Sequence, residues 1–221
     1  PVLMSDGSGG AFVVYISGAN LTLSSDAKIQ HVNQSGGIWT DWPTTGKVLG
    51  TAFAPNYRVF DKALPPLLDI VPNDSGGALV FWADASGAWN ARSVPSDGSS
   101  PLGAVVAITS PPPPPPPITP PGTLTATSDR HGGAILVLNE YENKLIANRF
   151  YASGHVRPNF DTLSVGRGMM KPTTIGDGAG GAYTSWADTT GGGYAGYPNP
   201  FFPTAHVYVQ HIDSSGVLTL P

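Results

Sequence analysis

Five histidines are the residues of this sequence with the most versatile chemistry, because imidazole can bind metals and transfer protons. His31 and His211 stand at the same place in two similar segments, IQHVNQSG and VQHIDSSG. His206 lies five residues before His211, while His131 and His155 lie in or beside glycine-containing turns. None of these spacings is typical of a metal-ligand set. We therefore predict no metal site and no cofactor, and histidines that are solvated or packed.

A serine in the segment DSGG, Ser75, could act as a nucleophile, because the segment resembles the surroundings of the catalytic serine in chymotrypsin-like proteases. Three similar segments carry Ser8, His131 and Ala179 at the same position, however. A catalytic serine also needs a base that a carboxylate orients, and no histidine stands in a recognisable partner motif. Ser75 is therefore predicted to be a turn residue, and the sequence assigns no catalytic residue.

Paired carboxylates are the usual catalysts of glycoside hydrolysis, in which they lie about 5–10 Å apart across a cleft. The two glutamates, Glu140 and Glu142, are neighbours on one short segment, and several aspartates recur at matching turn positions. The sequence carries neither the arginine triad nor the aspartate box of sialidases. It therefore predicts a chain that is not an enzyme.

The segments that carry these residues are four copies of one motif, Asp-x-x-Gly-Gly-Ala, followed by a β-prone apolar run, with the second copy one residue shorter. Each copy predicts a turn, because glycine reaches positive φ without steric cost and aspartate accepts hydrogen bonds from nearby amides. Repetition at a long period is typical of arrays and propellers. The predicted turn residues are Asp6, Gly9, Gly10, Asp74, Gly76, Gly77, Asp129, Gly132, Gly133, Asp177, Gly180 and Gly181.

Each repeat reads as four short strands, with the last strand of the fourth repeat at 217–220. The sequence therefore predicts an all-β, β-propeller-like array of about four four-stranded antiparallel blades, as a four-bladed ring or part of a larger one. We expect a single domain over 1–221, with blades at 1–52, 65–108, 122–166 and 171–220. A large residue four positions after each motif alanine is predicted to pack between blades; these residues are Tyr15, Trp82, Leu138 and Trp186.

The repeats resemble those of divergent bacterial extracellular β-propeller proteins, which combine D-G-x-G-G-A with W-x-D and a later Q-h-D-x-S-G. The fourth repeat carries the resemblance best, with MKPTTIGDGAGGAYTSWAD followed by HVYVQHIDSSGVLTL. The resemblance implies a propeller fold and an extracellular or cell-surface location. It implies no single function, because such repeats occur in scaffolds, adhesins, lectins and enzymes.

Two irregular segments interrupt the repeats. The first, 109–121, holds seven consecutive prolines and is predicted to be a stiff polyproline II connector; a docking site for a proline-reading groove or a glycan-bearing segment are its alternatives. The second, the loop 189–204, combines glycines with aromatic residues. These aromatic residues either contact a ligand or partner or fold back onto the blade edge; they are Tyr194, Tyr197, Phe201 and Phe202.

Three asparagines, Asn20, Asn33 and Asn73, begin Asn-x-Ser/Thr triplets and are candidate glycosylation sites. Such triplets also arise by chance. Asn73 stands at a repeat turn, which gives it a structural explanation as well.

The composition narrows the function classes. The formal net charge is −4 and no cluster of basic residues is evident, which argues against nucleic acid as a partner. No apolar run approaches the roughly 18 residues that span a bilayer, so we predict no membrane insertion. We predict a non-catalytic extracellular scaffold or interaction module, in its most concrete form a self-assembling surface or filament subunit. Its predicted partners are copies of itself, another extracellular protein or glycans. A carbohydrate-binding lectin is the first alternative, and a glycan-active enzyme is the second.

Overall fold

The computed structural model describes residues 1–17, 24–53, 67–84, 86–109, 122–140, 144–159, 161–165, 172–188 and 206–219. Every regular element in these ranges is a β-strand, and the strands form four antiparallel sheets. This confirms the predicted all-β, propeller-like class. The described residues include no helix that is long and apolar enough to cross a membrane.

The strands divide between two compact units, and each repeat supplies one sheet, here called a blade. Unit 1 comprises Pro1–Pro121 with Ala152–His155. Its blade 1 contains β1 (Val2–Ser5), β2 (Ala11–Ser17), β3 (Ser24–Val32) and β4 (Lys47–Phe53), and its blade 2 contains β5 (Leu68–Pro72), β6 (Ala78–Ala83), β7 (Trp89–Val94) and β8 (Val106–Ala107).

Unit 2 comprises Gly122–Tyr151 and Val156–Pro221. Its blade 3 contains β9 (Thr123–Ser128), β10 (Ala134–Glu140), β11 (Lys144–Phe150) and β12 (Asp161–Val165). Its blade 4 contains β13 (Thr173–Gly176), β14 (Ala182–Asp188) and β15 (His206–Ile212).

The core of unit 1 lies between its two blades, because alternate residues of β2 and β6 turn apolar side chains toward each other. Phe12 and Val14 of blade 1 share one buried cluster with Val80 and Trp82 of blade 2. The Trp82 indole donates Nε1–H to the Thr51 carbonyl at 3.0 Å. A blade therefore needs apolar residues on the face that meets its neighbour.

Unit 2 repeats this packing with different side chains. Ile135 and Val137 of blade 3 share a buried cluster with Ala182 and Trp186 of blade 4.

Tyr15 departs from the role of Trp82 and Trp186. It is only half-buried, and its hydroxyl donates to the Thr45 carbonyl at 3.1 Å.

The two glycines of each motif serve different purposes, which blade 2 illustrates. Gly76 has φ +78°, in the left-handed region that favours glycine. Gly77 has no such φ, but a Cβ there would lie 2.1 Å from the Val94 carbonyl oxygen. The strand-three backbone therefore passes too close for any side chain. The same division holds for the other first glycines, Gly9, Gly132 and Gly180, and the other second glycines, Gly10, Gly133 and Gly181.

The turn of blade 2 corrects the predicted alignment of the motif. Asn73 Oδ1 accepts hydrogen bonds from the amides of Ser75 and Gly77 at 3.1 and 2.8 Å. This is the position that the motif aspartate occupies in the other blades, so Asp74 is not its equivalent and the second copy is not shorter. Asparagine and aspartate both present Oδ1 to backbone amides, which explains why the substitution keeps the turn.

Blade 4 differs from the other three blades at its outer edge. The predicted strand at 217–220 is wrong over the residues described, because only an isolated bridge joins Ile212 to Leu218. Equivalent bridges join Val32 to Ile38 and Phe150 to Val156, ahead of the fourth strands of blades 1 and 3. Leu218 therefore matches the segment that leaves strand three. Among the described residues, blade 4 has three strands instead of the predicted four.

Candidate functional site

The motif carboxylate of blade 4 has two oxygens with different partners. Asp177 Oδ1 accepts hydrogen bonds from the amides of Ala179 and Gly181 at 2.7 and 2.9 Å, which closes the turn. Asp177 Oδ2 lies 2.8 Å from His211 Nε2 on strand three. The turn thus fixes a carboxylate beside an imidazole that is 34 residues away in the sequence.

Blades 1 and 3 contain the same arrangement, which we call the turn–strand clip: a motif carboxylate paired with a basic side chain of strand three. In blade 1, Asp6 Oδ2 lies 2.9 Å from His31 Nε2. In blade 3, Asp129 Oδ2 accepts from Arg149 at 2.7 and 3.0 Å. Blade 2 has Asn73 at the motif position, and its strand-three position carries the uncharged Ser93, opposite Leu79.

The blade 1 clip is closed to solvent. The side chains of Asp6 and His31 are each only 3% exposed. The His31 ring is stacked between Phe12, at 4.1 Å between centroids, and Trp39, at 4.6 Å. No solute reaches this imidazole in the folded protein, so its role is to hold the turn onto the strand.

The blade 4 clip is open. The side chains of His211 and Asp177 are 22% and 10% exposed. His211 Nδ1 lies 2.5 Å from the hydroxyl of Thr219, an exposed residue. Tyr183, 43% exposed, places its ring 4.6 Å from the His211 ring. Asp177, His211 and Thr219 therefore form a hydrogen-bonded chain that ends at the protein surface.

This chain can move a proton. The hydrogen bond from His211 lowers the pKa of Asp177 and outweighs the opposing effect of burial, and the amides of Ala179 and Gly181 lower the pKa further. An ionised Asp177 accepts Nε2–H, which leaves the Nδ1 lone pair to accept from the Thr219 hydroxyl. A hydroxyl, an imidazole and an orienting carboxylate in this order make up the arrangement that activates hydroxyl groups in many enzymes.

The blade 1 clip predicts loss of stability in acid. Burial raises the pKa of Asp6, but hydrogen bonds from His31, Ser8 and Gly10 outweigh it and hold the pKa at about 2, below the ordinary value of 3.8. A carboxyl whose folded pKa is depressed stabilises the fold above its unfolded pKa, and this contribution disappears as the pH falls through the folded pKa.

We therefore expect urea-unfolding free energies to fall between about pH 4 and about pH 2, and to fall less in Asp6→Asn. The variant keeps an amide-accepting Oδ1, as Asn73 does in blade 2, but loses the charge that pairs with His31. An equal acid dependence in both proteins would show that the clip contributes nothing.

Blade 3 brings together basic residues that the sequence left scattered. Arg149 binds Asp129 and also donates NH1 to the Ser214 carbonyl. Arg157 donates to the Asp161 carboxylate at 2.6 Å, and its amide donates to the Arg149 carbonyl. Both guanidinium groups donate hydrogen bonds to acceptors within unit 2, and these bonds stabilise this edge of the blade.

Several predicted site residues take structural roles or lie outside the described residues. The Oδ1 atoms of Asn33 and Asn73 accept amide hydrogen bonds within turns. Asn20, the proline run and the aromatic residues of the loop 189–204 lie outside the part of the chain that the structure describes.

Sequence reasoning missed the turn–strand clips, although the repeats contain a signal for them. In blades 1 and 4 the motif position is Asp and the strand-three position is His. The corresponding pair is Asn and Ser in blade 2, and Asp and Arg in blade 3. A basic residue therefore appears wherever the motif position carries a charge. This paired change between repeats indicates contact, whereas the spacing along the sequence does not.

Comparison with known proteins identifies the class of fold. No family model and no curated protein matches the chain. A Hadza microbial sialidase is similar in structure, with 11% identity and a TM-score of 0.51, over 98% of this chain and 45% of that one. An ulvan lyase from a new polysaccharide lyase family has 14% identity, coverage of 96% and 53%, and a TM-score of 0.47. An endo-arabinase from Bacteroides thetaiotaomicron has 12% identity, coverage of 98% and 76%, and a TM-score of 0.45.

The chain spans less than half the length of the sialidase, and at this identity the likeness shows the fold alone. The prediction of a non-catalytic scaffold or filament subunit is corrected here, because the fold is the one that a sialidase has. The same likeness also counts against the expectation that the chain is not an enzyme. The glycan-active alternative is now better supported than the main prediction.

Proposed function

We propose that this chain is the propeller part of a glycan-active enzyme in which Asp177 and His211 form the acid–base pair and the Thr219 hydroxyl marks the position of the hydroxyl that gives up its proton. The hydrogen-bonded chain at the open edge of blade 4 carries the proposal. The fold that the chain shares with a sialidase supports the class of substrate. Fold alone does not decide function, so the argument rests on what these three side chains can do.

His211 is the general base in this proposal. Its Nδ1 lone pair points toward the exposed Thr219 hydroxyl at 2.5 Å, so a water or sugar hydroxyl that takes the place of Thr219 can give its proton to Nδ1. Asp177 holds the ring in the required tautomer through Nε2–H and stabilises the imidazolium that forms. Positioned acid–base groups of this kind contribute about 10²–10⁴-fold to rate.

Tyr183 supplies the binding surface next to the base. Its ring is 43% exposed and lies 4.6 Å from the ring of His211. The face of the tyrosine ring is apolar and flat, which suits the C–H face of a sugar ring. A sugar stacked in this way keeps its hydroxyls free for polar contacts. A sugar stacked on Tyr183 would bring a hydroxyl within reach of His211 Nδ1.

An extracellular location follows from this proposal, because polymeric glycans do not cross the cell membrane and must be cleaved outside it. The resemblance of the repeats to those of extracellular propeller proteins supports the same location. Glycans are accordingly the partner that we propose.

The test is an activity screen of the full chain against sialylated glycans, uronate-containing polysaccharides and arabinans. We expect new reducing ends or released monosaccharides with at least one class, and a loss of the signal with Asp177→Asn. That variant keeps the turn, as Asn73 shows in blade 2, but it weakens the orientation of His211. Absence of products from every class, or equal activity of the variant, would contradict the proposal.

A further inference from the structure

One residue of each blade, here called the exit residue, lies beyond strand three and pairs back to it through the backbone. In blade 1 the amide of Trp39 donates to the His31 carbonyl at 2.9 Å, and in blade 4 the amide of Thr219 donates to the His211 carbonyl at 3.1 Å. Equivalent bonds join the exit residues of blades 2 and 3 to their strands, Gly103 to Ser93 and Arg157 to Arg149. The backbone bond is therefore constant, whereas the exit side chain differs in every blade.

The turn that leads to the exit residue is also the same in blades 1 and 4. Asn33 Oδ1 accepts hydrogen bonds from the amides two and four residues further along the chain, at 3.0 Å each. Asp213 Oδ1 accepts from the corresponding amides at 2.8 and 2.9 Å. Because the turns and the backbone bonds match, the difference between the closed clip and the open clip comes from the exit side chain.

The two exit side chains treat the same imidazole nitrogen differently. The Trp39 ring lies 4.6 Å from the His31 ring and only 1° from parallel to it. His31 Nδ1 is buried and has no hydrogen-bond partner among the described residues. In blade 4 the smaller Thr219 places its hydroxyl 2.5 Å from His211 Nδ1 and leaves 22% of the histidine side chain exposed. An indole thus covers the ring, whereas a hydroxyl occupies the acceptor nitrogen and leaves the ring accessible.

We infer that the exit residue controls access to the clip imidazole: Thr219 leaves His211 open to a substrate, and Trp39 makes His31 a structural residue. The Thr219 hydroxyl is exposed, so a water or sugar hydroxyl can replace it at Nδ1. Blade 1 therefore contains the same carboxylate–imidazole pair in a sealed form. The consequence for catalysis rests on the proposed function, whereas the control of access does not.

Chemical labelling of the histidines measures access without any substrate. Diethyl pyrocarbonate transfers an ethoxycarbonyl group to an unprotonated imidazole nitrogen, and mass mapping of peptides gives the labelling rate of each histidine. In the unaltered protein we expect His211 to be labelled about tenfold faster than His31 or more, because His31 reacts only after local opening. His206 is exposed, and its odd spacing from His211 places it on the other face of the strand, so it serves as the internal reference.

Exchange of the two exit residues is the decisive variation. Thr219→Trp should slow the labelling of His211 by about tenfold or more, and Trp39→Thr should accelerate that of His31 by a similar factor. Thr219→Val keeps the shape of the side chain but loses the hydroxyl, so we expect labelling of His211 to rise about fivefold as Nδ1 loses one hydrogen bond. Thermal unfolding shows whether each variant is folded at the labelling temperature. Thr219 is exposed, so Thr219→Trp provides a test that does not disturb the core.

Two results would overturn the inference. The first is an unchanged labelling rate of His211 in Thr219→Trp, and the second is an unchanged rate of His31 in folded Trp39→Thr. Glycan cleavage by the same proteins tests the proposed function separately, since cleavage should fall in Thr219→Trp together with the labelling of His211. Labelling rates that change as expected, in proteins that cleave no glycan, would support the control of access and contradict the proposed function.

Discussion

We expect His211→Gln to lower kcat on the glycan that the screen identifies by about 100-fold or more, with KM little changed. The amide of glutamine can still donate a hydrogen bond, but it cannot take up a proton at the pH of the assay. The proton of the attacking hydroxyl then has no acceptor at the open clip. Initial rates over a range of glycan concentrations separate kcat from KM.

His31→Gln is the matched control, because it makes the same change in the same repeat position. His31 is 3% exposed and stacked between Phe12 and Trp39, so we expect this variant to be less stable but to retain kcat. Thermal unfolding of both variants shows how much of each effect comes from folding. Equal losses of kcat in the two variants would assign the effect to the fold and not to a base.

The second large effect is expected at the second glycine of a motif turn, where the strand-three backbone passes close by. Gly77→Ala should reduce the free energy of unfolding by about 3 kcal/mol, at the upper end for overpacking, because its Cβ would lie 2.1 Å from the Val94 carbonyl oxygen. Neither group can move without breaking the hairpin, since the Gly77 amide is also bound to Asn73. Urea unfolding at neutral pH measures the change.

Gly36→Ala provides the comparison. Gly36 has φ +80°, but nothing lies within 4 Å of a Cβ placed there. The expected cost is therefore only that of left-handed backbone, about 1–2 kcal/mol. If Gly36→Ala proved as costly as Gly77→Ala, positive φ and not close approach would be the dominant demand in these turns.

The repeats made most of the fold predictable. The Asp-x-x-Gly-Gly turns and the apolar runs after them placed strands one and two of every blade, because glycine and aspartate meet the backbone requirements of a tight turn and apolar residues follow it. The alignment failed at Asn73, since it treated the acidic Asp74 as the motif residue, whereas the turn needs only an Oδ1 acceptor. The strand predicted after Gly216 was wrong for another reason. A short apolar run fits the segment that leaves strand three as well as it fits a strand.

The candidate site was much less predictable. Asp177 and His211 are 34 residues apart, and pairing between them depends on the register of β14 and β15, which no local pattern states. The difference between the closed clip at His31 and the open one at His211 depends on Trp39, which stacks on one histidine while Thr219 contacts the other. Comparison of equivalent repeat positions is the only sequence evidence that could have indicated the pairs.

The most direct test of the central claim is a histidine-detected NMR titration of the full chain with an oligosaccharide of the class that it cleaves. The account predicts that the ring resonances of His211 shift with the glycan concentration while those of His31 remain unchanged, because only the open clip is accessible. Unchanged His211 resonances at a glycan concentration that saturates turnover would contradict it, and so would equal shifts of both histidines.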